Sequence, residues 1–122
     1  MFEGEVGPIL LAFGASAIAA FVVMWGASFF VELTIESILT FIGVELVLGP
    51  LVAGIAGGLV SRTVLGVAGT LLGTWLGWLV TYLVGGTELD PAGMVLPALI
   101  IAVFAVVGHL GTVMTVGLRR RP

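Results

Sequence analysis

The sequence predicts an all-α integral membrane protein: a four-transmembrane-helix bundle with a tightly packed Gly-rich hairpin made by helices 2 and 3. Three observations lead there. The 122 residues are 60% hydrophobic and only 9% charged, whereas a soluble domain carries roughly 25% charged residues. Such a chain could not cover a soluble surface. Three runs are free of charge for longer than the ~20 residues that cross ~30 Å of hydrocarbon at ~1.5 Å per residue. Finally, many of the 19 glycines recur at spacings of three and four, the pattern by which helices approach closely in lipid.

The first charge-free run extends from Pro8 to Phe30 and predicts a helix over about 8–30. A cleaved signal peptide needs a cationic start and a short apolar core. Here "MFEGEVGP" carries Glu3 and Glu5 and no cation, so the segment reads as a retained span. The second helix is expected over about 38–60. Leu51 to Ser61 alone is too short to span, so the helix must begin near Ile38 or Phe41, with Glu45 and Pro50 inside it. The rival is three spans with an interfacial helix over 31–48. Runs from Thr63 to Gly86 and from Ala92 to Leu118 predict helices over about 63–86 and 92–118. All four form a single transmembrane domain, residues 1–122.

Charge placement tests the span count. There is no lysine, and the four basic residues are Arg62, Arg119, Arg120 and Arg121. Four spans put all of them on one side, which the positive-inside rule makes cytoplasmic; three spans would divide them. Both termini are then cytoplasmic in a multi-pass plasma-membrane protein, with Glu32, Glu36, Glu88 and Asp90 outside. Trp25, Phe29 and Phe30, and Trp78 with Tyr82, fall toward the outer ends of their helices, as in an interfacial aromatic belt.

The glycines define packing faces. In "GPLVAGIAGGLVSRTVLGVAGTLLGTWLGWL", Gly49, Ala53 and Gly57 recur every four residues toward Ser61, with Gly54 and Gly58 on the neighbouring row. Gly69, Gly73 and Gly77 do the same in the third helix, and Gly66 lies on that face. Glycine weakens a helix in water by about 1 kcal/mol relative to alanine, yet in lipid small residues gain dispersion contacts by close backbone approach. The short "SRT" link predicts an antiparallel hairpin joined through these two glycine faces. Trp75, Trp78 and Tyr82 project almost opposite the third-helix glycines, toward lipid or a partner, with Thr70, Thr74 and Thr81 between. A phosphate-binding glycine loop is excluded, because it needs GxxxxGK[ST] between strand and helix and the lysine is missing.

Two polar residues mark a possible site. Glu45 shares the four-residue row of Gly49, Ala53 and Gly57, and an intramembrane acid suggests a proton or cation site. At roughly 24 Å from the cytoplasmic edge, counting ~1.5 Å per residue, it also lies near enough to the outer interface to reach water. His109, in "VVGHLGT", is flanked by Gly108 and Gly111 with Thr112 one turn on; the spacing favours a structural hydrogen bond across helices. The closing "LRRRP" is an ordinary topology signal that meets anionic headgroups. Pro50 and Pro97 could kink their helices.

Neither Glu45 nor His109 belongs to a metal or catalytic motif. With no cysteine and one histidine, a thiolate metal site is excluded and an imidazole site is poor. No HExxH, GxSxG or nucleophile–base pair occurs, so no enzyme, cofactor, metal or nucleic-acid partner is expected. The function class expected is a structural or accessory membrane subunit acting through glycine-mediated helix packing. Its partners are the lipid bilayer and either further copies or a larger membrane complex. The alternative is a small homo-oligomeric channel or transporter for an ion, proton or small solute, using Glu45 and His109.

Size and helix number suggest two families, neither carried by residues. Small multidrug-resistance transporters have a first-helix glutamate, absent from "PILLAFGASAIAAFVVMW"; dimeric fluoride channels have an asparagine in their second helix, and this chain has none. The stretch "LGPLVAGIAGGLVSR" looks more like small glycine-rich membrane proteins of halophilic archaea, a group of uncharacterised function. A lysine-free chain of pI ≈ 4.8 fits that resemblance. It implies a membrane-embedded bundle and assigns no site residue.

Overall fold

The computed structural model describes residues 2–30, 43–85 and 91–117, and the regular elements among them are all helices. Helix α1 spans Phe2–Phe30, α2 Gly49–Ser61, α3 Gly66–Gly85 and α4 Pro91–Val116. Three stretches are long and apolar enough to cross a membrane: Val6–Gly26, Gly66–Val84 and Ala92–Val116. The apolar stretch containing α2, Leu46–Ser61, is shorter. Glu32, Glu36, Glu88, Asp90 and Arg119–Arg121 lie outside the described residues, as does the region around Ile38 and Phe41 where the sequence places the start of the second helix.

Local chemistry sets the boundaries of α2. Pro50 occupies its first turn, where no N–H is required, and a π-turn over Val44–Leu48 leads into it. A proline inside a continuous helix would leave a carbonyl one turn back without its donor, and a wider turn is one way to absorb that fault. The helix ends where Arg62 enters the left-handed region, φ 50°, with its N–H donating to Gly58 O at 2.8 Å. Thr63 Oγ1 then accepts the Gly66 N–H at 3.0 Å and starts α3, so the link occupies Arg62 to Leu65. At the far end of the chain, Gly117 (φ 93°) closes α4 through its N–H to Val113 O at 2.8 Å, the left-handed cap that glycine adopts without strain.

The two glycine rows do not face each other. Gly69 lies against the Ile9 carbonyl of α1, Gly73 against the Phe13 carbonyl and Ser16, and Gly77 against the Ala17 carbonyl and Ala20. The pairing advances along both helices together, so α1 and α3 run parallel. Gly54 lies against the Ala105 carbonyl of α4 and Gly58 against the His109 carbonyl, while Gly108 returns the approach onto Leu51 O. Helices α2 and α4 are therefore parallel too. Across the hairpin itself Gly57 approaches Thr70 and Gly66 approaches Ser61; Gly49 and Ala53 are buried in the bundle.

The hairpin joined through facing glycine rows is thus corrected to two parallel glycine-mediated pairs, α1 with α3 and α2 with α4. The physical reason is that periodicity assigns residues to a face but does not say which neighbour covers it. Carbonyls set over glycine Cα atoms also permit Cα–H···O contacts, about 0.5–1 kcal/mol each.

The aromatic face is corrected as well. Trp78 is 2% exposed and sits in a core with Ala20, Met24, Ala53 and Ile101, beside Trp75, Leu79 and Tyr82. Its ring meets Tyr82 edge-on with centroids 5.5 Å apart, and Trp75 Nε1 donates to Ala98 O of α4 at 3.0 Å. The outward side of α3 carries Leu72, Leu76 and Leu83 instead. With glycines against α1 and aromatics against α4, the lipid-like stripe is the leucine ridge between them.

Candidate functional site

The polar chemistry of the described residues gathers where α2 turns into α3. His109, projecting from α4, is completely buried. Its Nε2 lies 2.7 Å from the Thr63 carbonyl in the link, and its Nδ1 lies 2.7 Å from Thr70 Oγ1 on α3. A carbonyl can only accept, so Nε2 carries a hydrogen and donates it. In the neutral imidazole Nδ1 then accepts the Thr70 hydroxyl hydrogen, a tautomer assigned from its partners. One side chain thereby ties α4 to both the hairpin link and α3.

Glycine and threonine make room for this cross-link. A side chain on Gly66 would strike Ser61 Oγ and come 3.1 Å from His109 Cε1, and one on Gly57 would strike Thr70 Oγ1. Thr74, one turn beyond Thr70 and also fully buried, donates its hydroxyl to Thr70 O at 2.7 Å. Ser61 Oγ is buried beside the imidazole and is without a hydrogen-bond partner in the structure. Such groups are uncommon in folded proteins, and this one lies at the C-terminal turn of α2.

Arg62 forms a second cross-link around the first. Its Nε donates to Gly117 O at 3.1 Å and its Nη2 to Val116 O at 3.2 Å. These are terminal carbonyls of α4, which have no partner within their own helix and carry the negative end of its dipole, so a guanidinium is well placed there. The contact brings the hairpin link and the end of α4 to one end of the bundle.

Among known proteins nothing matches: no family model, no curated protein and no solved structure. The site therefore stands on its own geometry. Of the two polar residues singled out from sequence, His109 lies in the cluster. Glu45 falls in the π-turn, and its side chain lies outside the described residues. The sequence reading misses Thr63 and the acceptor it presents, since a backbone carbonyl leaves no mark in residue type. Thr70 and Thr74 are visible there only as polar residues at helical spacing.

No group of three or more His, Cys, Asp or Glu able to hold a metal occurs among the described residues. The cluster can position helices: both imidazole nitrogens are engaged within the chain, and the surrounding hydroxyls of Thr70 and Thr74 are spent on internal acceptors.

Proposed function

We propose that the chain is a small integral membrane protein acting as a structural or accessory subunit, a packing module that associates with other membrane helices. The observation that carries this reading is His109: fully buried, with both nitrogens bonded to Thr63 and Thr70, it serves as a helix cross-link. The interior is closed around it by glycine approaches, while the outside presents Leu10, Ile18, Val22, Leu72, Leu76, Leu99 and Val103 to the surroundings. In this reading the chain crosses the bilayer four times with both termini cytoplasmic. The meeting of Arg62 with Val116 and Gly117 supports it, because it sets Arg62 beside the residues that Arg119, Arg120 and Arg121 follow closely in the sequence.

The experiment is native mass measurement after extraction in mild detergent, paired with flux assays in liposomes. An accessory role predicts a stoichiometric co-purifying membrane subunit or a defined homo-oligomer, and no flux from the purified chain. Flux that disappears in Glu45→Gln or His109→Gln at unchanged yield would replace this reading with the channel or transporter.

A further inference from the structure

Gly111 is unlike the glycines of the packed pairs. A side chain built there meets nothing within 4 Å, so no neighbouring helix requires glycine at this place. It lines an open surface groove of about 510 Å³ along α2 and α4, bounded by Leu51, Ile55 and Leu59 on one side and Val107, Thr112 and Val116 on the other. Thr112 Oγ1 donates to Gly108 O and Thr115 Oγ1 to Gly111 O, each at 2.8 Å. The polar atoms of these threonines are thus satisfied within α4, and the groove asks for an apolar occupant.

One end of this groove is charged. Val116, at its margin, has its carbonyl bonded by Arg62 Nη2 on the exposed surface. The bonds of Arg62 to Gly117 O and Val116 O engage two of the five N–H groups of a guanidinium. Arg119, Arg120 and Arg121 follow closely in the sequence after Gly117. Along α4 the groove runs from Val107 to Val116, about 13 Å at ~1.5 Å per residue. A complementary molecule therefore has an apolar chain of that reach and an anionic head. We infer that the α2–α4 groove binds one acyl or isoprenoid chain of an anionic membrane phospholipid, with its phosphate at Arg62. The inference rests on the membrane reading above, which sets the Arg62 end at headgroup level.

The test is native mass spectrometry of the full chain from detergent, loaded with phosphatidylglycerol or phosphatidylcholine at equal concentration. Retention of phosphatidylglycerol is expected to exceed phosphatidylcholine by roughly five-fold, the factor that ~1 kcal/mol represents for one arginine near an anionic surface. Gly111→Leu places side-chain atoms in the groove from a position where a Cβ meets nothing within 4 Å, and should lower retention of both lipids at unchanged monodisperse yield. Arg62→Gln should abolish the preference between them. Equal retention of both lipids by the wild-type chain overturns the proposal, and this comparison needs no variant. So does unchanged retention in Gly111→Leu. A dimer mass that Gly111→Leu converts to monomer would assign the groove to a second copy and overturn it too. Failure to find a protein partner leaves lipid retention intact, so the two readings fail separately.

Discussion

At the residue scale, His109 ties α4 to two different segments, because one of its nitrogens reaches Thr63 and the other Thr70. Replacing it with alanine removes both bonds and leaves the Thr63 carbonyl and the Thr70 hydroxyl facing a cavity. Net hydrogen bonds between membrane helices average only ~0.6 kcal/mol, whereas orphaned buried groups cost about 1–3 kcal/mol each. His109→Ala is therefore expected to lose about 2–4 kcal/mol, dominated by the unpaired partners. Thr70→Val, which removes one partner, should lose less, and the double variant should fall short of the sum because the two share a bond. Denaturant titration in micelles would measure the cycle; strict additivity would mean the Nδ1 contact carries nothing. At Gly73 a single added methyl meets Ser16 and the Phe13 carbonyl. Gly73→Ala should consequently reduce monodisperse yield sharply. Trp78→Leu should lose about 2–3 kcal/mol through lost packing, while the outward Leu72→Ala stays within ~0.5 kcal/mol. Equal tolerance of Trp78→Leu and Leu72→Ala would contradict the buried position of the indole.

At the element scale, Arg62 does two jobs that substitution can separate. Its φ of 50° is a conformation that non-glycine residues hold at roughly 1 kcal/mol, and its guanidinium holds the last carbonyls of α4. Arg62→Gly relieves the backbone and loses the guanidinium; Arg62→Ala loses the guanidinium and keeps the strain. Both should raise amide hydrogen exchange at the end of α4 to the same extent, with Arg62→Ala alone lowering overall stability by about 1 kcal/mol more. If exchange near Val116 is unchanged in both, the two bonds to α4 carry no weight. Helices α1, α3 and α4 were legible because absence of charge over a bilayer-length run is a property of residue type alone; α2 lies in a shorter apolar stretch. Their partners were not. Gly69, Gly73 and Gly77 announce a close approach, but whether α1 or α2 makes it depends on contacts far apart in sequence. Trp78 was misplaced for a related reason: opposite the glycines lies a second protein contact, and the outward leucines occupy the narrow arc between the two.

At the scale of the whole molecule, the chain contains no cysteine, so single cysteines report topology without background. Thr63→Cys and a cysteine appended after Pro122 should react with a membrane-impermeant maleimide from the same side, because Arg62 joins the hairpin link to the end of α4. Glu88→Cys should react from the opposite side if α3 crosses once. Labelling of Thr63→Cys and the appended cysteine from opposite sides would rule out the four-span arrangement. The candidate site was half legible at this scale. A lone histidine between glycines and threonines signals a buried cross-helix bond, but its partner carbonyl is supplied by the path of the chain through Thr63.

The pairing of α1 with α3 and of α2 with α4 also dictates an order of events during synthesis. When α1 and α2 have emerged, neither has met the helix whose backbone it will touch most closely: the Ile9 and Phe13 carbonyls await Gly69 and Gly73, and Gly54 and Gly58 await Ala105 and His109. Each half of the chain supplies one member to both pairs, so neither half can complete either parallel pair by itself. Contacts this distant in sequence delay assembly until late. The two halves, residues 1–62 and 63–122, expressed as separate polypeptides, should therefore be degraded singly and recovered together. Their co-expression is expected to restore a complex that survives mild detergent, and stable accumulation of the first half alone would show that its helices mature without waiting for the second.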